Sequence, residues 1–237
     1  MEVRKNHLGQ PIGEPLETWC SALKPSRISA DGRFCRVEPI DADRHADDLF
    51  AAFQTDREHR NWTYLPYGPF ETESDFRTWI ADTCLGDDPL FHSIIDLITG
   101  KAVGVASYLR IEPAVGVIEV GHINFSPLIQ RTPVATEAMY LMMRRVFDEL
   151  GYRRYEWKCD ALNAPSRRAA ERLGFQFEGV FRQATMYKSR NRDTAWYSIL
   201  DGEWPRLDRA FTAWLDEENF DSDGQQKMKL GALVERC

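Results

Sequence analysis

Residues 130–138 read Gln130-Arg131-Thr132-Pro133-Val134-Ala135-Thr136-Glu137-Ala138, and residues 163–175 read Asn163-Ala164-Pro165-Ser166-Arg167-Arg168-Ala169-Ala170-Glu171-Arg172-Leu173-Gly174-Phe175. The first is a turn that runs into a helix. Backbone N–H groups bared at a helix start suit an anion, because they have no partner inside the helix. The second opens another helix, with Asn163 as N-cap, Pro165 in the first turn and Gly174 just past the end. Between them Arg153–Cys159 alternates as a strand: Tyr155, Trp157 and Cys159 share one face, Arg154, Glu156 and Lys158 the other.

The surrounding elements follow from periodicity. The helix from Pro133 to Leu150 carries Ala135, Ala138, Met142, Val146 and Leu150 on one stripe, and Gly151 suits its left-handed stop. Upstream, Arg33–Ile40 alternates like a strand, and Asp41 opens a helix with Ala46, Leu49, Phe50 and Phe53 at helical spacing. The aromatic loop Trp62–Phe70 follows, and Thr72 with Asp75 starts a second helix. Leu90–Leu97 and Ala102–Ile111 read as strands joined at Thr99-Gly100-Lys101, and Val115–Phe125 as a third. Downstream, Phe175–Lys188 and Thr194–Leu200 read as strands around a turn at Ser189–Asp193, and Trp204–Glu217 as a last helix. The pattern β-α-α-β-β-β-α-β-α-β-β predicts a mixed α/β (α+β) fold: antiparallel hairpins, then two helical crossovers that favour parallel neighbours and a split sheet. Residues 1–32, rich in Pro and Gly, read as an irregular arm, 33–217 as a single domain, and 218–237 as a polar tail.

Composition narrows the function classes. The 237 residues are 43% hydrophobic and 28% charged, ordinary for a globular protein with a sizeable core. A net charge of −7 argues against general nucleic-acid binding, which depends on neutralising phosphates. The five cysteines are scattered without a C-x-x-C, and the five histidines form no ligand-spaced pair, which argues against zinc. No apolar window is long enough to span a bilayer and the first residues lack a signal-peptide run, so the expected location is the cytoplasm, with no membrane partner.

The order of phosphate turn, helix, strand and Asn-x-x-Ser helix ending in Leu-Gly-Phe resembles the GNAT superfamily of acyl-CoA N-acyltransferases. Ala135-Thr136-Glu137-Ala138 and Glu178-Gly179 place it nearest the branch related to ribosomal-protein alanine N-acetyltransferases. The resemblance implies a mostly antiparallel central sheet with a splayed cleft, flanked by helices. It also implies acetyl-CoA as cofactor, and an amine-bearing acceptor such as a small molecule or a protein N-terminus. Transfer of a larger acyl group such as succinyl, or a non-catalytic CoA-binding module, are the alternatives. A homodimer through the late hairpin and C-terminal helix is a further expectation.

The resemblance also assigns residues. The family's Gln/Arg-x-x-Gly-x-Gly/Ala turn holds the coenzyme A pyrophosphate; here Gln130, Arg131 and Ala135 fit and Pro133 replaces the first glycine. Proline suits the first helical turn but removes one N–H, so Thr132, Val134, Ala135 and Thr136 would share the donor role. Asn163 matches the pantetheine contact, with helix capping as the plain alternative, and Ser166 the residue that protonates the departing thiolate. For the base, Glu119 stands eleven residues before Gln130, in the family's register, ahead of His122 by a small margin. Alternation puts Glu119 and His122 on opposite faces, so only one reaches the cleft unless a bulge mixes them. A free N–H near Ile123 would hold the thioester carbonyl. Trp62, Tyr64, Tyr67 and Tyr187 are candidate substrate contacts, with core packing as the alternative; Arg190, Arg192 and Asp193 read as solvated turn charges or as groups orienting an acceptor.

Overall fold

The computed structural model describes residues 3–237. Among the described residues the N-terminal arm carries one strand, the two-residue β1, Ala30–Asp31, before β2, Cys35–Pro39. The Asp41 carboxylate then caps α1, Ala42–Phe53, by accepting from the N–H groups of Asp43 and Arg44. Thr72 caps α2, Glu73–Trp79, through the Asp75 N–H, and a wider turn prolongs that helix to Cys84. Strands β3, Leu90–Asp96, β4, Lys101–Glu112, and β5, Val117–Phe125, form the expected antiparallel meander. Helix α3, Pro133–Arg144, with a wider turn to Glu149, crosses over to β6, Arg154–Asp160. Helix α4, Ala164–Arg172, leads to the hairpin of β7, Gln176–Tyr187, and β8, Arg190–Leu200; α5, Trp204–Leu215, and α6, Leu230–Arg236, close the chain.

One eight-stranded sheet results, ordered β1-β2-β3-β4-β5-β6-β8-β7. Two crossovers raised the expectation of parallel neighbours, yet β5 and β6 are the one parallel pair; β8 inserts between β6 and β7 and pairs antiparallel with both. The β5–β6 ladder covers only Val117–Val120 against Arg154–Trp157. Beyond those residues the two strands separate, and the sheet opens.

Each face has its own core. Ile118, Val120, Tyr155 and Trp157 pack under α3 and α5, and Phe91, Val105 and Ile95 under α1 and α2. Helix α3 is buried nearly all round, beyond its predicted stripe, because α5 covers its outer side. Tyr140 stacks on Trp204 and Phe211 at centroid distances of 6.1 and 5.4 Å. The segment expected as a polar tail folds back as α6, whose Leu230, Leu233 and Val234 meet the core at i, i+3, i+4 spacing. The arm is strapped down too: Ala22 and Leu23 donate to the carbonyls of Pro113 and Leu150.

The sharpest tie is Glu137 of α3. Its buried carboxylate accepts from the N–H groups of Arg33, Phe34 and Cys35 at 2.7, 2.6 and 2.8 Å, fastening the start of β2 to the crossover helix. A Cβ at Gly32 would sit 2.4 Å from that carboxylate, so the approach needs glycine there. Glu137→Ala orphans three donors and leaves a void; we expect it to lower stability by about 3 kcal/mol, read as a melting temperature roughly 6–12 °C lower.

Candidate active site

Where β5 and β6 part, a cleft of about 290 Å³ opens, lined from β4, β5, β6, the β7–β8 hairpin, the start of α4 and the Tyr64–Pro66 loop. Two bulges shape its β4–β5 wall. In one, Ala106 faces both His122 and Ile123, the ladder stepping from Ser107–Gly121 to Val105–Asn124, and His122 takes a φ of 52°. In the other, Arg110 takes a φ of 48°, and the Asp88 carboxylate accepts from the N–H groups of Arg110 and Ile111 at 2.9 and 3.0 Å. A left-handed conformation is unfavourable for both side chains, and the bulges impose it where chemistry-bearing groups need aiming.

The first bulge resolves the conflict of alternation. Val120 faces the α3 core, and strict alternation would send His122 there too. Instead its imidazole packs against Tyr67 and Phe91 on the α1–α2 face, the face of Glu119. Glu119 and His122 therefore line one cleft.

Glu119 is 3% exposed and belongs to a chain of alternating charges, Arg110–Glu119–Lys158–Glu156–Arg154–Glu178, that crosses from β4 to β7. Arg110 Nη1 and Lys158 Nζ both meet Oε2, at 2.5 and 2.9 Å. Oε1 has no hydrogen-bond partner among the described residues. A Cβ at Gly121 would stand 3.7 Å from Oε1 and 2.9 Å from Leu109, so this glycine keeps the space beside the carboxylate open. His122 is different. Its Nδ1 lies 3.0 Å from the Tyr67 hydroxyl, which has no other partner among the described residues; with the phenol donating, the imidazole proton sits on Nε2. Burial, with Arg110 and Arg192 nearby, pulls its pKa down to about 4.

On the opposite wall, Asn163 caps α4 by accepting from the Ser166 N–H at 3.1 Å through Oδ1, which leaves its Nδ2 free. Capping and ligand binding are thus compatible. The Ser166 oxygen accepts from Trp157 Nε1 at 3.0 Å, which leaves its own O–H as a donor toward sulfur. Burial pushes the Cys159 thiol up, with the Ser166 hydroxyl partly opposing, which makes it a poor nucleophile. Tyr187 donates to Asp160 Oδ2 at 2.7 Å, and Tyr64 to the Leu162 carbonyl at 3.2 Å; both line the cleft.

Other candidates fall elsewhere. Trp62 is 4% exposed and packs edge-on against Phe53 and Phe70, so it is core rather than a substrate contact. Tyr67 is outside the cleft lining and acts on it through His122. The late turn is shorter than its charges suggest: only Lys188 and Ser189 turn, with φ of 47° and 57°, and Arg190–Asp193 begin β8. This puts Arg192 into the cleft wall. Arg110, Lys158 and Asp160 also line it, and sequence reading missed them; an alternating strand shows which face a charge takes, but not what crosses that face.

At the α3 start, Thr132 directs both its N–H and its hydroxyl to the Ile129 carbonyl, so it cannot also share the donor role expected of it. Gln130 likewise braces the turn, donating to Asn61 and to the Phe125 carbonyl at 3.0 and 2.8 Å. No side chain caps α3, and the Val134 and Ala135 N–H groups have no partner among the described residues. Arg131 (φ 63°) flanks this turn without an ion pair, and Arg172 reaches its Thr136 hydroxyl at 3.1 Å. Two orphaned amides between two unpaired cations suit a diphosphate.

A split mixed sheet with an anion cradle on its crossover helix defines an acyl-CoA-dependent transferase. The chain belongs to the acetyltransferase (GNAT) domain family, whose model matches residues 36–176. A GCN5-related N-acetyltransferase from Brucella melitensis is 51% identical, with a TM-score of 0.91 over 93% of this chain and 100% of its own. The uncharacterized N-acetyltransferase YnaD of Bacillus subtilis (strain 168) is 26% identical over 165 residues, 66% of this chain and 90% of that protein. Acetyltransferases of this family take their acetyl group from acetyl-CoA, and the cradle fits that molecule's diphosphate. Among the described residues no helix is long and apolar enough to cross a membrane, and no group of three or more His, Cys, Asp or Glu could hold a metal.

The depressed His122 pKa has a stability consequence. From its ordinary value of 6.5 down to about 4, the unfolded chain binds a proton that the folded chain excludes. The contribution is present above pH 6.5 and lost as pH falls through that window, up to roughly 3 kcal/mol for this group. His92, buried on β3 and pulled down to about 3 by burial and Arg145, acts in the same direction. We expect urea midpoints to fall between pH 6.5 and 4, and less steeply in His122→Gln.

Proposed function

We propose that this protein moves an acetyl group directly from acetyl-CoA to a primary amine, within a ternary complex and without a covalent enzyme intermediate. The observation that carries this reading is the cleft at the β5–β6 split, where a carboxylate with one free oxygen and a hydroxyl whose oxygen already accepts from Trp157, leaving its O–H to donate, line the same space. Val134, Ala135 and Arg131 would hold the diphosphate, with Thr136 and Arg172 beside them, and Asn163 Nδ2 the pantetheine arm. Acetyl-CoA supplies the activated acyl carbon.

The chain's own residues then handle charge and protons. Beyond Val120 the β5 edge that faces β6 has no strand partner, which leaves the N–H near Ile123 available to the thioester carbonyl. Glu119 Oε1 takes the proton that the acceptor nitrogen sheds, directly or through a water, while Arg110 and Lys158 hold the other oxygen. His122, as an Nε2–H donor, orients the acceptor. Ser166, aimed by Trp157, shares its proton with the departing sulfur. The high thiol pKa of Cys159 favours direct transfer over a covalent route. Holding amine and thioester in one cleft supplies much of the rate, so a modest base suffices.

The test is a thermal melt with acetyl-CoA at about 100 times its dissociation constant, followed by thiol release on an amine panel. Binding the native state alone adds about 2.7 kcal/mol, a rise of roughly 5–10 °C. No rise in the folded protein overturns the reading; a rise without turnover on any amine leaves a CoA-binding module. Parallel reactions with succinyl-CoA decide the acyl preference. We expect Glu119→Gln to lower kcat/KM about 10²- to 10³-fold and Ser166→Ala to lower kcat about ten- to a hundredfold, both with the acetyl-CoA shift retained.

A further inference from the structure

Resting on that reading, we propose that the acceptor carries a carboxylate beside its amine, as a free amino acid does, and that Arg192 is the residue that binds it. Arg192 stands on β8 opposite Thr185, two residues before Thr194 and four before Trp196. Alternation along β8 gives these three one face, and Trp196 marks it, its ring lying 3.7 Å under Lys158 Nζ. Lys158 in turn meets Glu119, so Arg192 faces the side of the sheet that holds the proposed base. The side chain lines the cleft.

The other charges that line the cleft are all engaged. Arg110 and Lys158 meet Glu119, Glu156 meets Lys158 and Arg154, and Asp160 accepts from Tyr187 and from the Leu162 N–H. Of the charged side chains that line the cleft, Arg192 alone has neither ion pair nor hydrogen bond among the described residues; its guanidinium lies 6.0 Å from the Tyr187 ring centroid, and its Nε is buried without a partner. A guanidinium left unpaired in a part-buried cleft is a ready fork for a planar carboxylate. The cleft-lining ionisable side chains also leave an excess of one positive charge, three basic (Arg110, Lys158, Arg192) against two acidic (Glu119, Asp160). This disfavours a polycationic acceptor, although the whole chain carries −7. With acetyl-CoA on its diphosphate cradle, a carboxylate at Arg192 would hold the acceptor by the group next to its reacting nitrogen.

The experiment compares three matched sets in thiol-release assays: free amino acids, their carboxamides, and the decarboxylated amines, each with wild type, Arg192→Ala and Arg192→Lys. For the preferred amino acid we expect kcat/KM about a hundredfold above its amide and amine, mostly through KM. Arg192→Ala should bring that ratio to within about threefold of one, and Arg192→Lys should keep part of it, since a lysine retains charge without the fork. The acetyl-CoA melting shift monitors folding and the cofactor site in each variant. Amides or amines used as well as the acids would overturn the inference while acetyl transfer stands. The same holds for an acid preference that survives Arg192→Ala in a folded variant. If the Arg192 effect appears only with succinyl-CoA as donor, the fork reads the acyl chain and the acceptor assignment falls. Acetyl-CoA binding without thiol release in any set removes both the inference and the transfer reading beneath it.

Discussion

A parallel ladder that stops after four residues is the constraint on which the site depends. Val117–Val120 hold β6 in register, and past them the two strands diverge. Up to that point the sheet is closed and can bury a charge; beyond it, backbone edges and side chains face a shared space. Glu119 lies within the last two rungs, and His122 and Ile123 just beyond them. The carboxylate is therefore fixed by the sheet, while the bulged residues are free to face a ligand.

Charge does the fixing. The chain from Arg110 to Glu178 ties four strands together and begins in the cleft wall. Buried ion pairs are weak evidence for stability, because desolvation offsets much of their attraction. Their value here is geometric. Two cations on Oε2 hold the Glu119 carboxylate in one orientation, with Oε1 on the open side. The Trp157–Ser166 and Asn163–Ser166 bonds do the same on the other wall. The Glu137 carboxylate, holding three N–H groups of the β2 entrance, keeps the crossover helix seated on the sheet.

Much of this was legible in the chain. The caps at Asp41, Thr72 and Asn163, the meander from Leu90 to Phe125 and the helix after Pro133 are local features, set by residues within a turn or two of one another. Their order carried the family, and Ser166 and Glu119 came with it as candidates, both of which line the cleft. Less visible were features made by distant partners. Trp62 looked like part of a shaped loop because of the prolines and glycines around it, yet Phe53 and Phe70 enclose it. Thr132 looked like a free donor, and the Ile129 carbonyl takes both its hydrogens. Arg192 looked like a turn residue because Lys188-Ser189 lacks the Asn or Gly that usually marks a tight hairpin.

The sequence by itself determined the elements, their order and the class of chemistry, because periodicity, capping and the spacing of a motif are properties of neighbours along the chain. Tertiary structure alone decided which charges meet. Glu119 and His122 share a cleft only because a bulge opposite Ala106 shifts the alternation, and Arg192 is unpaired only because each carboxylate around it is already taken. Pairing, burial and register are set by strands that the fold brings side by side, as it brings Arg110 and Arg192 into one cleft, and no local pattern encodes them.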